Sequence, residues 1–217
     1  MFHKIDMAAW PRREHYAYYS GLVKTSYQLQ AELDVTALRA ACKAQGVRFY
    51  PAMLHAIMQA VNADPAFRMA VDGEGELGYY DVCHPSYTIF HPDDETFSDI
   101  WTEYTPDFAA FYRAACADME TYRDVKGIKA KPDKPAAFTP VSCVPWLHFT
   151  ALSHDTPGPS KMYFPVITFG KYEQSGEKWT LPLSVFVNHA VADGFHTARL
   201  LNRVQAACTD CAAWLHL

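Results

Sequence analysis

The spacing of apolar and polar positions divides the chain into short elements. Residues 25–33 alternate through Thr25, Tyr27 and Leu29, which predicts a strand. Asp34 follows as the expected N-cap of a helix that Gly46 ends. A second helix begins at Arg48-Phe-Tyr-Pro51 with proline in its first turn, and Asn62-Ala-Asp-Pro65 closes it. Its Met53, Leu54, Ile57, Met58 and Val61 share one face. His55, inside that helix, reads as a packed or capped histidine rather than a ligand. From 69 to 97 the period shortens to strands at 69–71, 78–82 and 87–91, the first two joined as a hairpin across Gly73, Gly75 and Gly78. Asp93-Asp94-Glu95 reads as a solvated turn. Asp107 caps a third helix to about Arg123, striped by Phe108, Phe111, Tyr112 and Ala115.

The Lys- and Pro-rich stretch 124–140 predicts a surface loop. Strand character returns over 141–152, followed by a Pro- and Gly-containing loop over 153–161. Residues 162–172 and 179–187 then form an antiparallel hairpin around Gln174-Ser-Gly-Glu177. A last helix, about 195–211, carries Leu200, Leu201, Val204 and Ala207 on one face. Helices distributed around a mixed sheet, with no Gly-rich phosphate loop, predict an α/β sandwich built as a single domain over residues 1–217.

Composition narrows the chemistry. Half of the 217 residues are apolar and 14% are aromatic, enough for a large core. A net charge of -5 with dispersed Lys and Arg leaves no basic face for nucleic acid. No apolar run approaches the ~20 residues that span a bilayer, and the N-terminus lacks the apolar centre of a signal peptide, so a cytoplasmic protein is expected. The six cysteines (Cys42, Cys83, Cys116, Cys143, Cys208 and Cys211) fit buried thiols in a reducing compartment. Cys208 and Cys211 form a Cys-x-x-Cys, but no second ligand pair follows and the motif ends a helix instead of starting one, so no metal is expected.

The stretch with the sharpest chemistry is Leu181 to Gly194. An apolar strand stops at His189, with Asp193 four residues on and an Asp-Gly turn after it. A histidine at a sheet rim is aimed by packed backbone and exchanges a proton near neutrality, which suits a general base. The pattern alone fits a structural histidine equally well. Arg12 and Arg13 lie amid Trp10, Tyr16, Tyr18 and Tyr19. They read either as a solvated helix start or as one arginine reaching inward to a carboxylate, and the residues alone do not separate the two arginines.

In context these motifs resemble the chloramphenicol acetyltransferases of the trimeric type. Asn188-His-Ala-Val-Ala-Asp-Gly-Phe-His196 looks like the family's His-His-Ala-Val-x-Asp-Gly-Phe-His, and Trp10-Pro-Arg-Arg-Glu-His15 looks like its opening. Phe49-Tyr-Pro51, Gln59-Ala-Val-Asn62, Phe90-His91, Glu95-Thr-Phe-Ser98, Pro145-Trp146, Thr168 to Tyr172 and Leu181-Pro-Leu-Ser184 follow in order, so the resemblance runs the whole length. It implies a two-layer sandwich, α+β in character, with a mixed, mostly antiparallel sheet and helices packed on one side, of the CoA-dependent acyltransferase type. It also implies a homotrimer with sites between subunits and acetyl-CoA as co-substrate, with no bound cofactor.

Residue by residue, the resemblance makes His189 the base that deprotonates the acceptor hydroxyl and Ser142 the donor to the tetrahedral oxyanion. Thr168 assists through an ordered water, and Asp193 pairs with Arg12 to hold the catalytic turn. The acceptor pocket would draw on Tyr18, Tyr19, Thr25, Tyr27, Phe97 and His154, and the CoA side on Arg48, Tyr50, Trp146, Lys171 and Tyr172. Three departures stand out. Asn188 replaces the first histidine of the pair, and Pro140 stands where asparagine is frequent. His154 and Tyr27 replace a leucine and a phenylalanine, which makes the acceptor side more polar. The leading expectation is O-acetylation of chloramphenicol. Its competitors are a relative with shifted acceptor preference, a trimeric chloramphenicol-binding protein with weak catalysis, and an acyltransferase fed by a lipoyl arm.

Overall fold

The computed structural model describes residues 1–154 and 162–217. In chain order the elements are β1 (Phe2–Lys4), α1 (Arg13–Ala17, continued by a π-helical turn Tyr18–Leu22), β2 (Ser26–Asp34), α2 (Thr36–Gln45), α3 (Phe49–Asn62), β3 (Met69–Val71), β4 (Leu77–Tyr80), β5 (His84–His91) and β6 (Thr96–Trp101). They continue with α4 (Phe108–Thr121), β7 (Phe138–Val144), β8 (Val166–Gly170), β9 (Glu173–Ser175), β10 (Lys178–Asn188) and α5 (Gly194–Thr209).

β10 is the spine of a seven-stranded sheet ordered β2-β10-β8-β7-β5-β6, with short β9 also on β10. The β5–β7 and β7–β8 pairs are parallel and the rest antiparallel, so the sheet is mixed as expected. Leu181, Leu183, Val185 and Val187 of β10 join the main core, which they share with Leu54, Ile57, Met58 and Val61 of α3 and Leu200, Leu201 and Val204 of α5. Pro182, Ser184, Phe186 and Asn188, on the other face, are buried too. A strand covered on both sides explains why its sequence reads as an unbroken apolar run.

A second, smaller core gathers Met69, Leu77, Tyr163, Ala190 and Val191, with Ile5, Met7, Trp10, Tyr16 and Tyr19 packed on it. It sits with the three-stranded sheet β1-β4-β3. Gly78 of β4 lies so close to β1 that a Cβ there would meet the Phe2 ring at 2.3 Å and the His3 carbonyl oxygen at 2.4 Å.

Several expectations need correction. Val35, not Asp34, is the residue at the α2 N-cap, and Asp34 instead accepts the Thr36 N–H at 3.0 Å. The strand predicted over 141–152 begins earlier, at Phe138, and stops at Val144, because Pro145 starts a turn that carries the chain back across β8. There the Lys171 N–H donates to the Leu147 carbonyl at 2.9 Å. A Cβ on Gly170 would meet Pro182 Cγ at 2.7 Å and the Leu147 oxygen at 2.8 Å, so glycine is what admits this crossing. The loop expected over 153–161 falls mostly outside the described residues. His55 is buried as read, with Nε2 3.2 Å from the Thr105 carbonyl and Nδ1 3.0 Å from Gln59 Nε2.

Candidate active site

β10 delivers His189. Just after the strand, Asn188 Oδ1 accepts the Ala190 N–H at 3.0 Å, and the Asn188 carbonyl accepts from Val191 at 3.2 Å and Ala192 at 3.3 Å. Asparagine is suited to this side-chain-closed turn, so the departure at 188 leaves the local geometry supported. Ala190 and Val191 plug into the smaller core, while the half-buried His189 ring takes the other side. The His189 N–H donates to the Thr25 carbonyl at 3.0 Å. The imidazole stacks on Tyr19 at 3.9 Å between centroids with a 4° interplanar angle, and meets Tyr27 at 5.0 Å and 59°. Its Nδ1 is buried with no partner among the described residues. Two aromatic walls and an anchored main chain fix the direction of the ring.

Asp193 is not the first residue of a reverse turn, as expected, but the N-cap of α5, with Gly194 the first helical residue. Its Oδ1 accepts the N–H groups of Phe195 at 3.1 Å and His196 at 3.4 Å, and His196 Nδ1 lies 2.8 Å from the same oxygen. Oδ2 takes Arg12 Nη1 at 2.6 Å, which assigns the pair to Arg12; Arg13 is exposed. Partial burial pushes the Asp193 pKa up, but the bonds from His196 and Arg12 outweigh it and hold the carboxyl well below its ordinary range. Tyr27 Oη lies 2.6 Å from Thr197 Oγ1, and Thr197 Oγ1 donates to the Asp193 carbonyl at 3.2 Å. Burial pushes the Tyr27 phenol up to about 12. The sequence reading named His196 only as the end of the matched motif and Thr197 not at all, although both lie within the first turn after an Asp N-cap.

Ser142 sits elsewhere. It aligns with Thr168 on β8, which aligns with Ser184 on β10, where Gln28 Nε2 donates to the Ser184 hydroxyl. Ser142 lines a cavity of about 900 Å³ together with Tyr50, Phe97, Trp146, Lys171 and Tyr172, all six being residues expected in the site. Phe49, Ile89, Met119 and Phe169 supply apolar wall that sequence reasoning missed, since in sequence they are ordinary core positions. Trp146 is braced edge-on by Phe90 at 4.7 Å. Arg48 is not part of this lining; it is the α3 N-cap, and its N–H donates to Tyr112 Oη at 3.1 Å. Thr168 is buried beside Ser142 and does not line the cavity.

The expected site residues thus fall into two groups. Arg12, Tyr19, Thr25, Tyr27, His189 and Asp193 gather at the end of β10, with Tyr18 packed edge-on against Tyr19 at 5.0 Å. Ser142, Thr168 and the cavity residues sit at the carboxyl ends of β7 and β8. His189 lies five residues beyond the Ser184–Thr168–Ser142 row, on the order of 16 Å along the strand. Within one chain His189 therefore does not face Ser142. The exposed His154 stands apart from both groups, its N–H on Gln28 Oε1 at 2.9 Å and its ring 5.8 Å from Phe186. Pro140 lies on β7 opposite Ser86, two residues before Ser142. At the far end of α5, burial pushes the Cys208 thiol up to about 12 and raises Cys211, opposite to the thiolate character of a reactive redox pair.

Comparison with known proteins adds independent weight. The family model described as chloramphenicol acetyltransferase matches residues 1–205. A chloramphenicol acetyltransferase of Clostridium perfringens is 38% identical over 214 residues, covering 99% of this chain and 98% of the relative. Chloramphenicol acetyltransferase 2 of Escherichia coli is 39% identical over 209 residues, covering 96% and 98%. Among solved structures, a chloramphenicol acetyltransferase superposes with a TM-score of 0.83 at 22% identity, covering 95% of this chain and 99% of that one. A dihydrolipoamide acetyltransferase of Azotobacter vinelandii superposes with a TM-score of 0.67 at 20% identity, covering 88% and 84%.

Proposed function

The chain belongs to the chloramphenicol acetyltransferase family, and from that membership we infer that it moves the acetyl group of acetyl-CoA onto a hydroxyl of chloramphenicol, inactivating the antibiotic. His189 accepts the hydroxyl proton as the acceptor oxygen attacks the thioester carbonyl. Ser142 Oγ donates to the oxyanion that results. When that intermediate collapses, the C–S bond breaks and the CoA sulfur leaves with the proton returned by His189, giving the acetyl ester and free thiol. The observation that carries the base assignment is the stacking of His189 on Tyr19 at 3.9 Å, with Nδ1 buried and the ring thereby directed. With Nδ1 enclosed, Nε2 is the nitrogen for proton transfer. Arg12 and Asp193 hold the turn and take no proton themselves.

The roughly 16 Å offset between His189 and the Ser142 row supports assembly of each site from two copies, as in a trimer whose subunits each present His189 to a neighbour's cavity. Tyr50, Trp146, Lys171 and Tyr172 then receive the CoA, while Tyr18, Tyr19, Thr25 and Tyr27 bound the acceptor from the base's side and Phe97 from the cavity side. Arg48, the α3 N-cap, and Thr168, buried beside Ser142, flank this cavity without lining it.

The test is chloramphenicol-dependent thiol release from acetyl-CoA. Wild type releases thiol, and His189→Ala and Ser142→Ala each lose it by ~10²-fold or more. Coexpression of the two inactive variants in equal amounts restores about a quarter of the sites if each site spans two subunits. No recovery in demonstrably mixed oligomers returns both residues to one chain and refutes the arrangement.

A further inference from the structure

We propose that the Tyr27 hydroxyl, acting through Thr197, is a positioning group that holds the turn bearing His189. The inference rests on His189 being the base and adds a second brace to the Arg12–Asp193 pair.

Counting protons fixes the direction of the contacts. A threonine hydroxyl has a single hydrogen, and Thr197 Oγ1 gives it to the Asp193 carbonyl at 3.2 Å. The 2.6 Å contact with Tyr27 therefore runs from the phenol O–H to Thr197 Oγ1. Thr197 is fully buried, so neither bond is exchanged for water at little cost. The single proton of the phenol is committed to this bond.

Strand β2 and Thr25, the residue that leads into it, consequently grip the turn twice. At Thr25 its carbonyl takes the His189 N–H at 3.0 Å, and at Tyr27 its side chain reaches the Asp193 carbonyl through Thr197. These points lie at either end of the segment His189–Asp193. Arg12 and His196 restrain the Asp193 side chain, whereas the Tyr27–Thr197 relay restrains its main chain. The Tyr27 ring also stands 5.0 Å from the imidazole, on a different wall from Tyr19, so the bond that orients the phenol orients a surface against which His189 rests. Loss of the hydroxyl leaves the ring in place but frees its tilt and slackens the far end of the turn.

Steady-state kinetics of Tyr27→Phe, Thr197→Val, Thr197→Ser, the Tyr27→Phe/Thr197→Val double variant and His189→Ala test this, with thermal midpoints measured alongside. Tyr27→Phe and Thr197→Val should each lower kcat about three- to tenfold while both KM values stay within about twofold. Thr197→Ser, which keeps the hydroxyl, should restore kcat to near wild type. The double variant should be no slower than either single one, because both remove the same relay. A raised KM for chloramphenicol with unchanged kcat in Tyr27→Phe would overturn the proposal, making the Tyr27 hydroxyl a contact to the acceptor instead of a brace. Losses that multiply in the double variant also overturn it. If His189→Ala is inactive while Tyr27→Phe keeps wild-type kcat, only the relay fails; if His189→Ala keeps full turnover, the base assignment itself fails.

Discussion

Asp193→Asn separates the two tasks of Asp193. Asparagine is as good an N-cap as aspartate, so the bonds from the Phe195 and His196 N–H groups survive and what is removed is the charge that faces Arg12 and the His196 ring. Arg12 has no substitute partner at hand, since its Nε and Nη2 are buried without partners among the described residues. Stranding an ion in a dry interior costs about 3–5 kcal/mol, but the Asp193 side chain is 33% exposed and that of Arg12 16%, so water relieves part of this. A loss of about 2–3 kcal/mol is expected, or roughly 5–10 °C in thermal midpoint for a chain of this size. Thermal unfolding at fixed protein concentration reads it, since the midpoint of an oligomer moves with concentration. Arg12→Met/Asp193→Asn, which removes both charges, should recover much of the deficit. An unchanged midpoint in Asp193→Asn, or a double variant that merely sums the single losses, would show that the pair is not coupled and refute the reasoning.

Gly170→Ala should cost about 1–3 kcal/mol and raise the KM for acetyl-CoA more than that for chloramphenicol, because its Cβ would displace the turn that carries Trp146. Matched KM increases for both substrates would contradict that placement. His55 supplies a pH test: burial draws its pKa from 6.5 down to about 4, so the unfolded chain takes up a proton between those values that the folded chain refuses. Stability should fall as pH drops from 6.5 toward 4 and level off for this group below that, by roughly 3 kcal/mol in all. His55→Gln should flatten the urea-midpoint profile in that window, and an identical profile would count against the assignment.

What could be read from the sequence was local. The α3 stripe of Met53, Leu54, Ile57, Met58 and Val61 is fully buried as its spacing required, and the run ending at His189 is the covered central strand. β6 was missed, its short stretch Thr96–Trp101 following directly on the acidic Asp93–Glu95 turn, and its partner β5 supplies the order that no local pattern states. The site followed the same division. Arg12 and Asp193 are 181 residues apart, so no spacing pairs them, and the family match supplied the pairing that the 2.6 Å contact bears out. Thr197 stayed hidden because a threonine in the first turn of a helix is unremarkable until a strand places a phenol beside it.

The turn that carries His189 is rooted in both hydrophobic cores, with Ala192 in the large one beneath the main sheet and Ala190 and Val191 in the small one. Ala190 and Val191 are seated among residues from the first turns of the chain and a small three-stranded sheet closed by Phe2 against Gly78. Substitutions at Ile5, Met7 or Trp10, which pack on the small core, should therefore disturb the setting of the His189 ring, while the sheet that lines the cavity of about 900 Å³ remains intact.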